Sequence, residues 1–300
     1  MNGIINVLKP PGMTSQNVVS FMRRMSGIKK IGHSGTLDPY AAGVLPIFIG
    51  KATRLVEYAM QGQKEYIGEI DFGLETDTLD SQGKVICRQS GEITKEQFQS
   101  VLESTKGTIY QRPPMYSALK KDGRKLVDLA RKGKSVDIPK RPVEIYETEF
   151  LEQTETNRFL FRVRCSKGTY VRTLCQDWGK MIGTVVHLSF LLRTQTGGFR
   201  IEESVTLEEI EHAFHTDAVY AILQPMESGC IEMERIYLSG IAKRAVLCGQ
   251  PIDPAWIQEV PKAFERPCQL WVNDVFMGIA KRTQTGVQTV KVIWEEPCNE

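Results

Sequence analysis

Residues 158–165, RFLFRVRC, alternate in character at every position but Leu160. Phe159, Phe161, Val163 and Cys165 fall on one side of an extended chain, and Arg158, Arg162 and Arg164 on the other. The pattern predicts a strand that buries one face and offers a basic ridge on the other. Residues 170–183 then switch to helical spacing, with Val171, Leu174, Cys175 and Trp178 inward and Gly183 as a stop. A chain that builds one-faced strands and one-faced helices in turn must pack them against each other.

Further elements follow from the same periodicities. Thr14 to Gly27 reads as a short helix with Val18, Val19, Met22 and Met25 on one face. Thr94 with Gln97, and Thr206 with Glu209, have the spacing of capping boxes, and Phe98, Val101 and Leu102 give the first of these helices an apolar face. Residues 66–73 and 143–151 read as strands. After about Pro225 short β-like runs take over: QLWV, an Asn273-Asp274 turn, VFMGIA and TVKVIW. A small β-rich domain is therefore expected at 229–300, after a first domain at 1–228. Residues 106–141, rich in Lys, Pro and Gly, look like an insertion rather than core.

Size and composition narrow the class. Three hundred residues at 41% hydrophobic and 25% charged can bury a sizeable core without disulfides or metals. No run of about eighteen apolar residues exists, so no membrane span is expected. Met1 to Pro10 lacks an export pattern, and a cytoplasmic location with reduced thiols follows as the expectation. The seven cysteines are scattered with no CxxC pair, which supports neither a zinc ribbon nor a redox dithiol. His212 and His215 lack partner cysteines and read as a helix surface, so no metal site is expected.

The net charge of +2 says little, but its distribution says more. Residues 1–37 contain five basic residues and no acid; the first carboxylate in the chain is Asp38. Residues 106–146 hold eleven Lys or Arg against four acids, and 158–172 hold five basic residues and no acid. Three such stretches suit a polyanion, although each alone is also what a solvated surface looks like.

The most informative stretch is His33-Ser-Gly-Thr-Leu-Asp38-Pro-Tyr-Ala-Ala-Gly-Val-Leu45. Asp38 lies in a basic neighbourhood, and nearby cations should keep it ionised and available as nucleophile or base. An Asp before Pro also makes a simple Asx turn, and from the residues alone that is the simpler reading. Gly43 to Lys51 ends in Gly-Lys like a phosphate loop. Six residues separate its glycines rather than four, and Ala52 replaces the magnesium-holding Ser or Thr, which excludes a nucleotide triphosphatase.

The stretch HSGTLDPYAAGVL resembles the catalytic motif of the TruB family of tRNA pseudouridine synthases. Four more motifs agree in order: Lys9-Pro10-Pro11-Gly12-Met13-Thr14-Ser15, Lys64-Glu65-Tyr66, Arg112 to Lys120 with Gly123 to Arg131, and Cys165 to Thr173. His187 to Leu191 resembles the family's leucine-bearing pocket wall. Val127 departs from the pattern, standing where a Tyr is usual. The resemblance implies an α+β pseudouridine-synthase fold: a mixed, mainly antiparallel sheet with flanking helices, plus a small PUA-like RNA-binding domain at the C-terminus. That last domain is nearly neutral here, with eight basic and nine acidic residues over 229–300.

The resemblance also implies roles. Asp38 would be the catalytic carboxylate, paired with Arg172. Tyr66 and Leu191 would contact the target base, His33 the displaced loop nucleotides, and Lys9 would support the active-site loop. An insertion at about 85–141 would grip the tRNA T arm, with Lys120, Lys121, Arg124, Lys125 and Arg131, and Lys167 from the later loop, on the RNA backbone. No cofactor and no obligate protein partner are expected, and the substrate would be uridine 55 of the T loop. The alternatives are a guide-RNA-dependent synthase working in a multiprotein particle, and a non-catalytic tRNA-folding chaperone on the same scaffold.

Overall fold

The structure, a computed structural model, describes residues 1–117, 119–121, 123–130, 136–259, 266–283 and 286–294; for 120, 121, 124 and 125 it describes the backbone alone. The strands of the first two hundred residues are β1 (Gly3–Lys9), β2 (Ile31–His33), β3 (Ala42–Ile49), β4 (Lys64–Phe72), β5 (Leu74–Thr76), β6 (Val85–Arg88), β7 (Gly107–Gln111), β8 (Lys120–Lys121), β9 (Arg124–Lys125), β10 (Arg141–Glu155), β11 (Arg158–Cys165), β12 (Val186–Thr196) and β13 (Phe199–Arg200). The helices used below are α1 (Ser15–Ser26), α2 (Val56–Ala59), α3 (Lys95–Ser104), α4 (Leu126–Ala130), α5 (Val171–Ile182) and α6 (Leu207–His215).

A nine-stranded sheet runs β1-β3-β12-β4-β11-β10-β7, with β13 on β12 and β2 on β3. Every pair is antiparallel except β12 with β3. Strand β11 buries the four residues its alternation marks, and α3 and α5 cover that face. Phe98 of α3 sits at the centre, its ring 5.4 Å from Phe159, 5.6 Å from Phe72 and 5.8 Å from Trp178. The Trp178 indole N–H is satisfied by Thr105 Oγ1 at 2.9 Å. The three capping threonines, Thr14, Thr94 and Thr206, each accept from the N–H three residues on, and Asn17, Gln97 and Glu209 reach back.

Strands β1 and β3 are mostly apolar because they are buried on both sides. Ile5, Val7, Leu45 and Ile47 face the main core. Ile4, Val44 and Phe48 face the other way, onto Phe276, Ile279 and Ile293. Phe276 and Ile279 lie on, and Ile293 directly follows, a second, five-stranded sheet of β14 (Arg235–Leu238), β15 (Ile257–Glu259), β16 (Cys268–Val272), β17 (Val275–Thr283) and β18 (Gly286–Val292), in the order β15-β14-β16-β17-β18. The Asn273-Asp274 turn joins β16 to β17 with φ of 45° and 61°, the left-handed values a tight hairpin requires.

Two expectations about the chain's organisation change. The segment read as an insertion is partly core: β6 pairs with β5, α3 fills the centre of the aromatic cluster, and β7 is the edge strand of the main sheet. Its Lys and Gly content hid β7 because an edge strand buries few of its residues. What stands apart from the sheet is the shorter stretch carrying the β8–β9 hairpin and α4. The basic ridge of β11 is also not a free ridge. Arg158 pairs with Asp71 at 2.9 Å, Arg162 with Glu149 at 2.5 Å and Arg164 with Glu147 at 2.9 Å. Each acid is the direct cross-strand neighbour, from segments whose acids the one-strand reading did not include.

Strand β12 crosses β3 where Gly43 sits at φ 116°, and a Cβ there would lie 2.2 Å from the Arg193 carbonyl oxygen. Gly43→Ala is expected to cost about 2–3 kcal/mol, from the left-handed backbone and the forced separation of two strands. Thermal unfolding should register this as a fall of several degrees. Among the described residues no helix is long and apolar enough to cross a membrane, and the six described cysteines are free.

Candidate active site

The loop from Ser34 to Ala41 connects β2 to β3 and is anchored along its length. Ser15, at the start of α1, accepts from the Leu37 N–H at 2.9 Å and donates to its carbonyl at 3.2 Å. The N–H of Gly12 donates to Pro39 O at 2.7 Å. Lys9, wholly buried at the end of β1, donates to the carbonyls of Met13 at 2.6 Å, Pro10 at 2.8 Å and Pro39 at 3.3 Å. Its proline-rich turn is thus pinned to the loop. Burial pulls the Lys9 pKa down to about 8, against the attraction of Asp38.

Asp38 stands at the turn of this loop with a third of its side chain exposed. The turn is closed by backbone, Ala41 N–H to Asp38 O at 3.1 Å, rather than by an Asx bond. The carboxylate is therefore available to Arg172, whose terminal nitrogen lies 2.8 Å from Oδ2. Arg172 is the second residue of α5 and only 4% exposed. Its other terminal nitrogen reaches Asp80 Oδ2 at 3.2 Å and the Thr78 carbonyl at 3.0 Å, and Tyr116 O accepts at 2.8 Å. Asp80 is buried and further held by the Thr78 hydroxyl at 2.6 Å and the Gln82 N–H at 3.0 Å. One guanidinium thus spans two carboxylates and two carbonyls, a use for which its planar fork is suited.

The electrostatic expectation for Asp38 is corrected in sign. Desolvation pushes its pKa above the ordinary carboxylate value and nearby Asp80 adds to this, while Arg172 and Lys9 oppose it. The sequence displays the cations around Asp38 but neither the low-dielectric cleft nor Asp80.

Tyr66 on β4 lies opposite Arg193 of β12, and Gly68 lies opposite Leu191. By strand alternation Tyr66, Leu191 and Arg193 share the sheet face that α5 covers. The Tyr66 hydroxyl senses both the Arg193 and Asp38 charges, and burial raises its pKa. Leu191 is 5% exposed and packed in the main core beneath that face. His33 ends β2 at the start of the loop, and its Nδ1 accepts the Gly35 N–H at 3.3 Å. Burial and the Arg193 charge lower its pKa, which favours a neutral ring with the proton on Nε2.

The structure thus brings Asp38, Arg172, Lys9 and Tyr66 together, with His33 and Leu191 at the borders. Lys167 is exposed and hydrogen-bonded to Gln61. Lys120 stands across from Lys125, and Lys121 from Arg124, on the β8–β9 hairpin. The side chains of these four, and all of Arg131, lie outside the described residues. His212 and His215 are exposed on α6, and among the described residues no cluster of metal-ligating side chains occurs.

Three residues of the site have no sequence signal that stands out. Asp80 lies in a Thr-Leu-Asp-Ser-Gln-Gly run that reads as a turn. Tyr40 follows Pro39 and points its hydroxyl into the ion cluster, where it has no hydrogen-bond partner among the described residues. Arg193 lies in a strand of mixed polar and apolar residues, and only its register with Tyr66 reveals it.

A mainly antiparallel sheet with an Asp-bearing loop held to a helix-borne Arg is the pseudouridine-synthase fold. The chain superposes on a subunit from a crystal structure of a Cbf5–Nop10–Gar1 complex with a TM-score of 0.80 and 27% identity, over 97% of this chain and 85% of that one. A structure of an H/ACA RNP bound to a substrate RNA containing 2'-deoxyuridine matches with a TM-score of 0.78 and 25% identity, over 98% and 85%.

The chain belongs to the TruB family of pseudouridylate synthases: the model of that family's N-terminal domain matches residues 23–171, and the tRNA pseudouridylate synthase B C-terminal domain matches 172–230. The tRNA pseudouridine synthase B of Caldanaerobacter subterraneus subsp. tengcongensis is 47% identical over 253 residues, 83% of this chain and 86% of that protein. That of Clostridium tetani is 39% identical over 294 residues, 98% of this chain and all of the other.

Proposed function

We propose that this protein isomerises uridine 55 in the T loop of tRNA to pseudouridine, with Asp38 as the catalytic carboxylate. The observation that carries the reading is the half-open Asp38 carboxylate held 2.8 Å from a buried Arg172, beside Tyr66. The reaction is an isomerisation within one nucleotide: the bond from the sugar to N1 breaks, the uracil turns, and C5 bonds to the same sugar carbon. It involves no net redox change. The target base stacks inside a folded loop, so it is first extruded into the cleft. Tyr66 then stacks on the base and Leu191, on the neighbouring strand, lines the apolar floor of the pocket. Arg172 orients Asp38 toward the ribose, and neutral His33 fills the vacated stack.

In this reading the β8–β9 hairpin grips the T-arm phosphates and the second sheet is a PUA-like RNA-binding domain. The enzyme works alone, without a guide RNA. Incubating the purified protein with a bare T-arm hairpin and mapping pseudouridine tests both claims. No product at the T-loop uridine, or product only when a guide RNA is added, would refute the assignment.

The grip makes a separate prediction. Exchanging Lys120, Lys121, Arg124 and Lys125 together for Ala should weaken tRNA binding and flatten the slope of log K against log salt by up to about four phosphate contacts. Exchanging Arg162 and Arg164 for Ala should leave that slope unchanged, since carboxylates already neutralise both. Equal slopes for the hairpin variant and the wild type would remove the hairpin from the interface.

A further inference from the structure

Arg193 is 1% exposed, yet its partners are neutral. Its Nε donates to Val44 O at 2.8 Å and a terminal nitrogen donates to Gly35 O at 3.1 Å. Its cross-strand neighbour is Tyr66, and its charge acts on the Tyr66 hydroxyl. Among the described residues no carboxylate pairs with it; the two acids of the site, Asp38 and Asp80, both pair with Arg172. Keeping a guanidinium out of water with only carbonyls and a phenol for company is costly. Two carbonyls could be satisfied by a neutral amide. The charge itself therefore calls for an explanation.

Its field fills the space under the loop, acting on Lys9, Lys64 and His33 as well as Tyr66. The positive pole thus lies on the Tyr66 side of the cleft, and the negative pole, Asp38, lies on the ribose side. When the sugar–N1 bond breaks, its electron pair leaves with the uracil, and the ring carries the negative charge until C5 bonds to the sugar; the C5 proton is then lost and N1 takes one up. A preorganised charge placed behind that ring stabilises it without reorganisation.

We infer that Arg193 is a positioning residue that fixes the Tyr66 hydroxyl and, through it, stabilises the negative charge on the detached base. This rests on the function proposed above. It differs from the Arg172 arrangement, which acts on Asp38.

The test is single-turnover formation of pseudouridine in a T-arm hairpin by wild type, Arg193→Gln and Arg193→Lys, each also in a Tyr66→Phe background. Arg193→Gln is expected to slow the chemical step by roughly tenfold or more, with RNA affinity within about threefold. Arg193→Lys should recover part of the rate. In the Tyr66→Phe background the Gln substitution should change the rate by less than about twofold, because the hydroxyl through which it acts is gone. Tyr66→Phe alone, which leaves the Val44 and Gly35 bonds intact, should reproduce most of the loss. A full rate for Arg193→Gln or for Tyr66→Phe alone overturns the inference. So does an undiminished Gln effect in the Tyr66→Phe background, or a loss of affinity and melting temperature that matches the loss of rate. An inactive wild type would instead overturn the proposed function, and this inference with it.

Discussion

Asp38→Asn is expected to abolish turnover, by roughly four orders of magnitude or more, while tRNA affinity stays within a few-fold. A loss of that size is a barrier increase of about 5.5 kcal/mol, which requires a group that acts at the reacting atoms. Asn keeps the shape and still accepts a hydrogen bond from Arg172, but it can neither attack the sugar nor take a proton from it. The pH dependence follows from the direction of the Asp38 shift. Since the cleft raises its pKa, the acid limb of kcat/KM should fall at a pH above the ordinary carboxylate value. Stability should move the other way. A carboxyl whose folded-state pKa exceeds its unfolded one favours folding at low pH and loses that contribution as pH rises through the folded value. At neutral pH the ionised carboxylate therefore works against the fold, and the Asn variant should melt no lower than wild type. Their difference should shrink below the ordinary carboxylate pKa. Measurable turnover by the Asn variant, or an acid limb at or below the usual Asp value, would remove Asp38 from the chemistry.

Elements with one wet face were legible in the sequence. The β11 alternation, the α5 stripe from Val171 to Trp178 and the Thr94 and Thr206 caps all recur in the structure, because periodicity records which side meets water. Strands β1, β3 and β12 left no such mark. Val44 and Leu45 face different cores, so the run from Ala42 to Ile49 reads as uniformly apolar and superficially like a phosphate loop. Within the site, Asp38, Tyr66 and Arg172 were visible through motif resemblance. Asp80 and Arg193 were not, since what distinguishes them is depth and the partner across a strand or a loop. The β11 arginines show the converse error: a row of positive charge in one strand is an ion-pair lattice once its neighbours' acids are in register. Neutralisation is a property of the sheet, and one strand does not report it.

Arg172→Met is the other change with a large expected effect, and it should separate two roles that Asp38→Asn cannot. In the folded protein the guanidinium answers Asp38, Asp80, Thr78 O and Tyr116 O at once. Deleting it strands the Asp80 carboxylate, which is 6% exposed and keeps only the Thr78 hydroxyl and the Gln82 N–H. Removing one partner of a buried ion pair costs about 3–5 kcal/mol, which for a chain of this size lowers the melting temperature by roughly 10 °C. Turnover should be lost as well, because Asp38 loses the cation that opposes its desolvation and its pKa climbs further. Adding Asp80→Asn removes the stranded charge. The double variant should therefore regain several degrees of thermal stability while its turnover stays near that of Arg172→Met. Arg172→Lys should fall between, since a point charge cannot span two carboxylates and two carbonyls. If the double variant recovered turnover along with stability, Arg172 would be serving the fold alone, and the orientation of Asp38 would have to come from Lys9 and the backbone of its loop.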